Sequence, residues 1–585
     1  MKILGICCFY HDASASLLID GKIVAAAQEE RFTRKKHDVS FPINAVEFCL
    51  KSANLKIEDI DTIGFYEKPL LKFERGLYQH IDAFPKSYKT FVGSMPSWFT
   101  EKLRVVKIIK KKLKYKKDIL FVDHHLAHAA SFLSSPFKKA AIVTIDGVGE
   151  WTTTTYGIGN GNRIKLLKEI KFPHSLGLLY STITAYLGFS VNNSEYKVMG
   201  LSPYGTMDKK KNEYYKKLKT VIDIKEDGSY RLDLSFFTYH YKDRMPSKKL
   251  CDLLGGSIRA KESALEQRHK DIAAALQMLL EECVFKIAKQ AKKETRCDKL
   301  VISGGVALNS VCNGKLIKEA RYKGVWAQPD PGDGGTSIGV ASYIYHTLFN
   351  NKRKESLINP FLGPAYTNGE IKKILDDHTI IYTTFNSDKE IIETSASLIA
   401  NNKVVGWFQG GMEWGPRALG GRSILSNPCN QKMKEILNEK VKHREIFRPF
   451  APAVCLEDAS KYFKCGKADY HLTDFMLGVY PIRKSWHKLI PAVTHVDGSG
   501  RLQTARKENN LLYYKTIKKF GELSGIPILI NTSFNIRGEP IVCSPYDAYK
   551  CMMGTGIDVL IIGNMLIKRE ENKKDEWDSE RIATD

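Results

Sequence analysis

Three histidines within a short stretch could form a metal site. In VDHHLAHAASFL, from Val122, His124 and His128 are four residues apart and therefore share one helical face, as metal-binding histidine pairs do. His125 lies three residues before His128 and competes for the same role. No third ligand lies nearby, so a carboxylate must come from elsewhere, and Asp333, in the turn PDPGDGGTSIG, is the natural candidate. Two histidines and one aspartate suit Fe(II), and these ligand types also allow Zn or Mn.

A second group of residues is cationic and is set among Gly, Pro and Phe. The segments GMEWGPRALGGRSILSNP and KVKHREIFRPFAPAV contain Arg417, Arg422, Lys442, Arg444 and Arg448. Charged side chains in such apolar, turn-rich settings are hard to bury unless they are paired. A small, multiply charged anion would satisfy them, because a guanidinium group binds phosphate through two parallel hydrogen bonds. Pairing with the local acids Glu413 and Glu445 is the alternative.

A third group of polar residues follows predicted strands near the carboxyl-terminal end. The segments PAVTHVDGSGRLQTA and ILINTSFNIRGEPIV contain Arg501, Asn531, Ser533 and Arg537. Binding sites of α/β proteins collect at strand ends, so these side chains could extend an anion site. Ordinary turn formation is the alternative interpretation.

The elements that must position these residues repeat in the first half of the chain. The segment KILGICCFYHDASASLLIDGKIVAAAQEE predicts three strands, with Asp12 in the first turn and Gly21 in the second. The segment AAIVTIDGVGEWTTTTYGIGNGNRIKLLKEI, from Ala140, has the same plan with Asp146 in its first turn. Two such meanders, each followed by helical stretches, indicate a duplicated α/β domain with a cleft between the copies. This is the RNase H-like plan of the actin, Hsp70 and sugar-kinase folds.

Two glycine-rich turns close the second copy. The strand in LVISGGVALNSVCNGKL leads into Gly304 and Gly305 and then a helix, and QPDPGDGGTSIGVA places Asp333 before another helix. Glycines at such turns let backbone amides approach an anion at the positive end of a helix. Each turn alone could be a plain tight turn, but two in succession favour a nucleotide-phosphate site.

Pro and Gly punctuation in LFNNKRKESLINPFLGPAY, from Leu348, predicts a domain boundary. We expect a first domain over residues 1–354 and a second over 355–585. In the second, NNKVVGWFQGG and IPILINTS read as strands and MKEILNEKVKHRE, from Met433, reads as a helix. The second domain is therefore predicted to be mixed α/β.

Composition excludes several classes of protein. Hydrophobic residues make up 43% and aromatic residues 10% of 585 residues, enough for full-sized cores and too many for a disordered chain. No apolar run approaches the ~18 residues of a spanning helix. The start, MKILGICCFY, predicts a buried strand rather than a signal peptide, so a cytoplasmic location without membrane partners is expected. Twelve cysteines without a CxxC pair exclude a zinc ribbon and favour reduced, buried thiols.

The net charge of +24 suggests polyanionic partners: nucleic acid, an anionic membrane surface or phosphorylated substrates. The strongest run is EKLRVVKIIKKKLKYKK, from Glu101. Its residues Leu103, Val106, Ile109 and Leu113 fall on one helical face, so the lysines are predicted to form the solvent-exposed face. Lysine-rich genomic bias would explain the same run.

Taken together, these motifs resemble the NodU/TobZ-type O-carbamoyltransferases, almost from end to end and in order. The segments that carry the resemblance are the opening strands, DHHLAHAASF, SGGVALNS, PDPGDGGTSIG, GMEWGPRALGGRSI, REIFRPFAPAV, HVDGSGRLQT and NTSFNIRGEPIV. The resemblance implies a first domain like the metal-binding subunit of the tRNA threonylcarbamoyladenosine enzymes and a YrdC-like second domain. It also implies that carbamoyl phosphate and ATP, with Mg²⁺, form carbamoyl adenylate. The carbamoyl group then moves to a hydroxyl of a sugar, antibiotic or other natural product.

The same resemblance implies roles for individual residues. His124, His128 and Asp333 match the iron ligands. The positions that match the carbamoyl-adenylate pocket of the first domain are Lys36, Asp146, Gly305, Asn309 and Ser337. The positions that match carbamoyl-phosphate and ATP contacts of the second domain are Arg417, Lys442, Arg448, Arg501, Asn531 and Ser533.

His11 matches the histidine near the acceptor hydroxyl, and His11 and Asp146 are the predicted catalytic residues. A hydroxyl is a poor nucleophile at neutral pH, and an imidazole titrates close enough to neutrality to take its proton. A structural hydrogen bond at the strand end is the alternative for His11. Phe9 and Tyr10, before it, give no signature of the acceptor, and a homodimer is left open.

Three other classes of function compete with this interpretation. A tRNA-modifying threonylcarbamoyl enzyme would share both domain types and explain the charge, but the order of domains and the motifs follow the small-molecule enzymes. Nucleic acid is therefore not expected as a partner. A hydrogenase-maturation carbamoyltransferase should carry paired CxxC zinc sites, and this sequence has no CxxC pair. A non-enzymatic nucleotide-binding scaffold would not need the histidine pair and the arginine cluster together.

Overall fold

The computed structural model describes residues 1–242 and 244–572 and divides into two compact units. The first comprises Met1–Glu29 and His37–Leu357, and the second comprises Glu30–Lys36 together with the described residues from Ile358 onward. The short segment Glu30–Lys36 thus packs with the second unit, although the sequence places it in the first domain. The predicted second domain runs to residue 585, and its last part, 573–585, lies outside the described residues.

The described residues of the first unit form twelve strands. In chain order they are β1 (Lys2–Cys7), β2 (Ser14–Ile19), β3 (Lys22–Gln28), β4 (Thr62–Phe65), β5 (Ile119–Phe121), β6 (Lys139–Ile145), β7 (Thr152–Asn160), β8 (Arg163–Lys171), β9 (Ile222–Ile224), β10 (Tyr230–Leu232), β11 (Leu300–Ser303) and β12 (Val325–Trp326).

Two five-stranded sheets of the first unit have the same plan. In one, β1, β2 and β3 form an antiparallel meander, and β4 and β5 add in parallel, giving the order β3-β2-β1-β4-β5. In the other, β6, β7 and β8 form the meander and β11 and β12 add in parallel, giving the order β12-β11-β6-β7-β8. This repetition confirms the predicted duplicated α/β plan of the actin, Hsp70 and sugar-kinase type.

Up to Leu357, the part of the chain that the structure describes forms fourteen α-helices. They are α1 (Glu30–Thr33), α2 (Ile43–Ser52), α3 (Pro69–Asp82), α4 (Tyr88–Thr100), α5 (Val105–Leu113), α6 (His124–Ala129), α7 (Ser131–Ser134), α8 (Leu176–Tyr186), α9 (Glu195–Leu201), α10 (Glu213–Lys219), α11 (Lys248–Leu253), α12 (Gln267–Thr295), α13 (Ser310–Glu319) and α14 (Thr336–Ser342).

Helix α14 is fully buried and packs against both β1 and α6. The approach is so close that a Cβ on Gly339 would lie 2.0 Å from the carbonyl oxygen of Ala127 in α6. Small residues in α14 therefore let this helix fix the position of α6 and of the turn that precedes α14, and both of these carry predicted metal ligands.

The second unit is built on one mixed sheet with the order β13-β21-β20-β14-β15-β19-β16-β18-β17. Its strands are β13 (Thr383–Thr384), β14 (Val405–Phe408), β15 (Arg422–Ser426), β16 (Ala451–Cys455), β17 (Gly478–Pro481), β18 (Ser499–Ala505), β19 (Ile528–Ser533), β20 (Val559–Ile562) and β21 (Met565–Lys568). Its helices are α15 (Asn368–Asp377), α16 (Asp388–Ala400), α17 (Met433–Ile436), α18 (Ala459–Tyr462), α19 (Tyr470–Thr473), α20 (Leu511–Ser524) and α21 (Pro545–Met553).

Helices cover both faces of this sheet. Trp407 and Leu529 pack with α16 and α20 on one face, whereas the next residues along the same strands, Phe408 and Ile530, pack with α15 and α21 on the other. Successive strand residues point to opposite faces, so continuous apolar strands such as IPILI are what a doubly covered sheet requires. The mixed α/β character of the second unit is as the sequence predicts.

The predicted helix over residues 433–445 is shorter in the structure. Helix α17 continues as a π-helix over Leu437–Val441 and ends before Lys442. The side chain of Asn438 accounts for this end, because its amide donates to the carbonyl of Arg448 (3.3 Å) and its oxygen accepts from Arg444 Nε (2.8 Å). Single π-turns of this kind often mark functional positions.

All twelve cysteines are free thiols, and ten of them are buried, as the sequence predicts. Within residues 1–242 and 244–572, none of the helices combines the length and apolar character needed to cross a membrane.

Candidate active site

The predicted site residues of the first unit lie just beyond the carboxyl ends of strands. His11 follows β1, Asp146 follows β6, and His124 and His128 lie on α6, which follows β5. Asp333 lies in a short 3-10 turn between β12 and α14. Strand ends of open α/β sheets are the usual location of binding sites, and the folding of the chain brings these distant residues to one such place.

The imidazoles and carboxylates of His124, His128, Asp146 and Asp333 form one buried cluster. One ligand atom from each lies within 4.8 Å of the others. The Nε2 atoms of His124 and His128 are 3.1 Å apart, and Asp146 Oδ2 is 3.1 Å from His124 Nε2. Asp333 Oδ1 lies 3.4 Å from His128 Nε2 and 3.6 Å from His124 Nε2. The structure therefore brings together the three predicted ligands and adds Asp146.

The residues of this cluster fit a divalent metal ion. Asp333 is 1% exposed, and neither of its carboxylate oxygens has a hydrogen-bond partner among the described residues. A buried carboxylate is costly unless positive charge lies beside it, and a divalent ion would supply such charge together with the nearby histidines. The two Nε2 atoms are 3.1 Å apart, close enough for both to bind one ion at the usual nitrogen–metal distance of about 2.1 Å.

The local charges shift the pKa values of the cluster residues. Burial disfavours the imidazolium of His124, but Asp333 and Asp146 outweigh it and raise the pKa of His124 to about 9. Burial is also the largest influence on Asp146, and the hydrogen bond from His124 and the neighbouring histidine charges overcome it, so the pKa of Asp146 lies well below its usual value. Burial and the charges of His124 and His128 lower the pKa of His125 to about 3.

His125, the third histidine of the motif, does not join the cluster. Its Nδ1 lies 2.7 Å from Thr144 Oγ1 on β6. The low pKa of His125 and this contact indicate a neutral imidazole that packs α6 against the sheet. The competition between His125 and the predicted pair is therefore settled by the side of the helix on which each side chain lies.

Several residues that support the cluster carry no signal in the sequence. Ser303 Oγ lies 3.2 Å from His128 Nδ1 and so fixes the ring with Nε2 toward the cluster. Both carboxylate oxygens of Glu150 accept from the backbone amide of His124 at 3.1 Å, which holds the first turn of α6. Asp330 Oδ2 accepts from Gln28 Nε2 (2.9 Å) beside the turn that holds Asp333.

His11 lies beside the cluster and has a carboxylate partner of its own. Its Nε2 is 3.6 Å from Asp333 Oδ2, and its Nδ1 is 2.8 Å from Asp12 Oδ2. The other oxygen of Asp12 lies 2.7 Å from His37 Nδ1, and His37 Nε2 lies 3.0 Å from Asn193 Oδ1. Burial lowers the pKa of His11, but Asp333 and Asp12 outweigh it and raise this pKa well above its usual value. Asp12 thus orients the imidazole that the resemblance predicts to be catalytic.

The remaining predicted residues of this pocket have structural contacts of their own. The backbone amide of Gly305 donates to Asp146 Oδ1 at 2.9 Å. Asn309 caps α13 by accepting from the amide of Cys312 (3.0 Å), and Ser337, buried in α14, donates to the carbonyl of Gly334 (3.1 Å). Lys36 lies in the segment that packs with the second unit.

Gly304, before Gly305, has a positive φ of 93°, and a Cβ there would lie 2.3 Å from the carbonyl oxygen of Ile145. Only glycine fits both constraints. This close approach brings the amide of Gly305 to the Asp146 carboxylate. The glycine turn therefore helps to hold Asp146 in the cluster, in addition to the phosphate binding that the sequence predicts for it.

In the second unit, predicted anion-binding residues meet at the ends of the central strands. Asn531, on β19, donates to Gln503 Oε1 on β18 at 2.5 Å and to the carbonyl of Ala418 at 3.0 Å. Because side chains alternate along a strand, Arg501 shares the face of Gln503, and Ser533 shares the face of Asn531. The contact with Ala418 places the loop of Arg417 next to these strands.

Lys442 and Arg448 come from the segment between α17 and β16. Lys442 is 3% exposed, and its ammonium group donates to the backbone carbonyl of Ser533 and to the carbonyl and side-chain oxygens of Asn535, the latter two at 2.9 Å. Burial, with the charges of Arg444 and Arg448, lowers the pKa of Lys442 well below its usual value. Arg448 lies 3.5 Å from Glu445, in agreement with the alternative of local pairing for this one residue.

Arg422, in contrast, is a structural residue. It is completely buried, lies 3.6 Å over the Phe408 ring, and donates to the carbonyls of Gln409 (3.1 Å) and Pro364 (2.9 Å). Glu413 does not pair with an arginine side chain here, because its Oε1 accepts from the backbone amides of the turn that carries Arg422, at 3.0 Å for Arg422 itself. The prediction of Arg422 as an anion ligand is therefore wrong, and its carbonyl partners are the reason.

The segment Glu30–Lys36 is anchored next to this turn within the second unit. Arg31 donates to the carbonyl of Gly415 (3.0 Å), and Arg34 donates to the carbonyls of Ile541 (2.7 Å) and Pro540 (2.8 Å). These bonds place the loop before Arg417 and the loop after β19 on one segment.

The repeated sheet plan and the buried His/Asp cluster at its strand ends define a protein of the duplicated actin-like class, joined to a second mixed α/β unit. Residues 2–342 match the family described as Carbamoyltransferase N-terminus, and residues 396–569 match Carbamoyltransferase C-terminus. The chain therefore belongs to the carbamoyltransferase family. Membership implies a transferase that moves carbamoyl groups and acts on small molecules, and it confirms the NodU/TobZ-type resemblance.

The chain is similar to two curated proteins over nearly its whole length, and a solved structure resembles it only weakly. An uncharacterized protein of Synechocystis sp. is 42% identical over 99% of both chains. The nodulation protein NolNO of Sinorhizobium fredii is 34% identical over 97% of this chain and 80% of its own length. The solved structure of HypF from T. kodakarensis is 15% identical, covers 60% of this chain and 48% of its own, and has a TM-score of 0.31, which supports no inference.

Proposed function

We propose that this protein is an O-carbamoyltransferase that uses carbamoyl phosphate and ATP, with Mg²⁺, to form carbamoyl adenylate. The second unit, as a YrdC-like domain, would form this intermediate, and the first unit would transfer its carbamoyl group to a hydroxyl of a small molecule. The observation that carries the proposal is the buried cluster of His124, His128, Asp146 and Asp333 with His11 beside it. Family membership supports transfer of a carbamoyl group, and the geometry of this cluster supports the proposal that the transfer takes place in the first unit.

The first half-reaction has an electrostatic problem that the cationic residues of the second unit can solve. Carbamoyl phosphate and ATP both carry several negative charges, so their approach is opposed by repulsion. Arg417, Lys442 and Arg448 would bind and neutralise these charges and hold the reactants in position for attack of the carbamate on the α-phosphate. Water cleaves carbamoyl phosphate to carbamate and phosphate, and a carbamate oxygen then attacks the α-phosphate of ATP and displaces pyrophosphate.

The second half-reaction requires a proton to leave the acceptor hydroxyl as its oxygen attacks the carbamoyl carbon and displaces AMP. His11 would take this proton through Nε2, while Asp12 holds Nδ1. A divalent ion bound by His124, His128, Asp146 and Asp333 would supply Lewis-acid polarisation of the intermediate. Neutralisation of Asp333 by such an ion would lower the pKa of His11, because Asp333 is the main group that raises it.

Incubation of the protein with carbamoyl phosphate, ATP, Mg²⁺ and an extract of small metabolites tests the proposal directly. We expect pyrophosphate release and a metabolite that gains the mass of one carbamoyl group. Absence of both products in the presence of Fe(II) would contradict the proposal. Transfer of the group to tRNA, and to no metabolite, would instead support the threonylcarbamoyl-type alternative.

Binding of carbamoyl phosphate is expected to draw a proton onto Lys442. The pKa of this residue is depressed in the free protein, and a nearby phosphate favours the ammonium form. Affinity should therefore fall as the pH rises through the pKa of the free protein. Calorimetry over a range of pH, in buffers of different ionisation enthalpy, should show uptake of a fraction of one proton per ligand wherever Lys442 of the free protein is partly deprotonated.

Lys442→Met should remove this proton uptake and weaken binding, whereas Lys440→Met, at an exposed neighbour, should leave both unchanged. Equal proton uptake by the Lys442→Met variant and the unaltered protein would show that the linkage arises elsewhere.

Asp12→Asn is expected to slow carbamoyl transfer by about tenfold to a hundredfold, because the imidazole of His11 loses the carboxylate that orients it. The effect should fall on kcat of the transfer step, with little change in the KM for the acceptor or in pyrophosphate release. Asp377→Asn, at an exposed position of α15, is the matched control. A rise in KM alone would indicate that Asp12 contacts the acceptor rather than positions His11.

A further inference from the structure

The helical hairpin formed by α3 and α4 exposes apolar side chains to solvent. Eight large apolar residues of this hairpin are exposed: Leu70, Leu71, Tyr78, Ile81, Phe84, Tyr88, Val92 and Phe99. Leu70 is 74% exposed, and Phe84, in the connection between the two helices, is 69% exposed. We call this region, residues 69–100, the apolar hairpin.

Helix α4 has a stripe of apolar side chains along its outer face. Tyr88, Val92, Pro96 and Phe99 recur at the spacing of one helical face, and all four are exposed. The opposite side of the hairpin is packed, since Phe73 of α3 contacts Trp98 with ring centroids 5.3 Å apart. The inner face of α4 therefore packs against α3, and the outer face of α4 is apolar and exposed to solvent.

The chain that continues from the apolar hairpin is strongly basic. Residues 83–117 contain eleven lysines and arginines and one acid, Glu101. Helix α5 buries Val105, Ile109 and Leu113 against the unit and leaves Lys107 and Lys111 exposed. The prediction of Val106 on the buried face is wrong, because the packed face is centred on Val105 and leaves Val106 44% exposed.

The lysines of this run have few acidic partners. Among the described residues, no ion pair joins Lys107, Lys111, Lys114 or Lys116 to a carboxylate. The run therefore keeps its positive charge available to an external anion, directly after the apolar stripe ends at Phe99.

We propose that the apolar hairpin and the following lysine run dock this protein on an anionic phospholipid membrane surface. Exposed Leu, Ile, Val and aromatic side chains next to lysines are the combination that binds the interface of an anionic bilayer. The apolar residues enter the boundary between headgroups and acyl chains, and the lysines contact the anionic headgroups. This peripheral contact revises the expectation that the protein has no membrane partner, and it requires no spanning helix.

Charge and side-chain type favour a membrane over two other occupants. A second copy of this chain, meeting the same face, would bring its own basic run against the first and be repelled. A nucleic acid would use the lysines but gain little from Leu70, Ile81 and Val92, which offer no aromatic face for bases.

Sedimentation of the full chain with vesicles tests the proposal. We expect binding to vesicles of phosphatidylcholine with phosphatidylglycerol, loss of this binding as NaCl is raised, and negligible binding to phosphatidylcholine alone. Lys107→Gln, Lys111→Gln, Lys114→Gln and Lys116→Gln together should weaken binding by more than a hundredfold, at about fivefold per lysine. Phe84→Ser with Val92→Ser should weaken it independently.

Matched controls separate a specific surface from general charge. Four exposed lysines elsewhere in the first unit, Lys138, Lys139, Lys165 and Lys210, are changed to Gln with the same loss of charge. Vesicle binding and the far-ultraviolet circular dichroism of this control should match those of the unaltered protein. Equal weakening by both sets of substitutions would overturn the proposal, as would equal binding to neutral and anionic vesicles.

Two further outcomes would also overturn it. If the protein is a dimer that Phe84→Ser with Val92→Ser converts to a monomer, a second copy covers the hairpin. If the lysine substitutions abolish binding to tRNA without changing vesicle binding, the basic run serves nucleic acid instead.

Discussion

Protein purified without oxygen should contain about one divalent metal ion per chain, most of it Fe(II), and the His124→Ala/His128→Ala variant should contain none. The reason is that the two Nε2 atoms and the carboxylates of Asp146 and Asp333 are the convergent ligands of one buried cluster. Removal of two of four ligands leaves too few groups to retain an ion. Elemental analysis of both proteins, after the same anaerobic purification, makes the comparison.

A matched control lies on the same helix. His125→Gln removes an imidazole whose Nδ1 contacts Thr144 and whose side chain lies outside the cluster, so its metal content should be unchanged. The unaltered protein should also melt at a higher temperature with Fe(II) than after chelation, because a ligand that binds only the folded state stabilises it. Unchanged metal content in the double variant, or loss of metal from His125→Gln alone, would contradict the assignment.

Much of the first unit could be predicted because consecutive strands pair with each other and each has a clear apolar pattern. Asp12 and Asp146 each follow a continuous apolar strand and precede two more strands, and this local order is enough to indicate two copies of one plan. The spacing of His124 and His128 similarly fixes a shared helical face. Patterns of this kind depend only on the backbone periods of 2 and 3.6 residues, which the sequence carries directly.

Other features depend on contacts between distant parts of the chain and have no local signal. The resemblance predicts Asp146 in a nucleotide pocket, and its place 3.1 Å from His124 arises because α6, which follows β5 of one sheet, packs against β6 of the other. Arg422 resembles an anion ligand until its carbonyl partners are known. Segment Glu30–Lys36 directly follows β3 in sequence, yet its arginines bond to loops more than 380 residues away. The contact partners of such side chains can be identified only from the tertiary structure.

The two groups of candidate residues lie in different units, and this distribution is the basis for assigning one half-reaction to each unit. The cluster of His124, His128, Asp146 and Asp333 and the nearby His11 are within the first unit, and Lys442, Arg448 and the strand ends of β18 and β19 are within the second. The two groups share no side chain. Substitutions should therefore separate the half-reactions if the proposed division of chemistry is correct.

Arg448→Ala is expected to lower pyrophosphate release that depends on carbamoyl phosphate and ATP by about a hundredfold to a thousandfold, the usual effect of losing one electrostatic contact to reacting groups. The same variant should transfer the carbamoyl group at the normal rate when it receives carbamoyl adenylate made beforehand, because the metal cluster is unaltered. Arg483→Ala, which removes an exposed arginine bonded to the carbonyl of Ser460, is the matched control and should behave as the unaltered protein.

His128→Ala should show the converse behaviour. Its pyrophosphate release should be normal, whereas modification of the acceptor should fall by a similar factor, because the cluster then lacks the imidazole that Ser303 orients. A variant with both substitutions should lack both activities, and carbamoyl adenylate should not rescue it. Measurement of pyrophosphate release and product mass for every variant shows whether the two half-reactions use different sites. If carbamoyl adenylate fails to rescue Arg448→Ala, or if His128→Ala loses pyrophosphate release to the same extent, one site performs both steps and the proposed division between the two units is wrong.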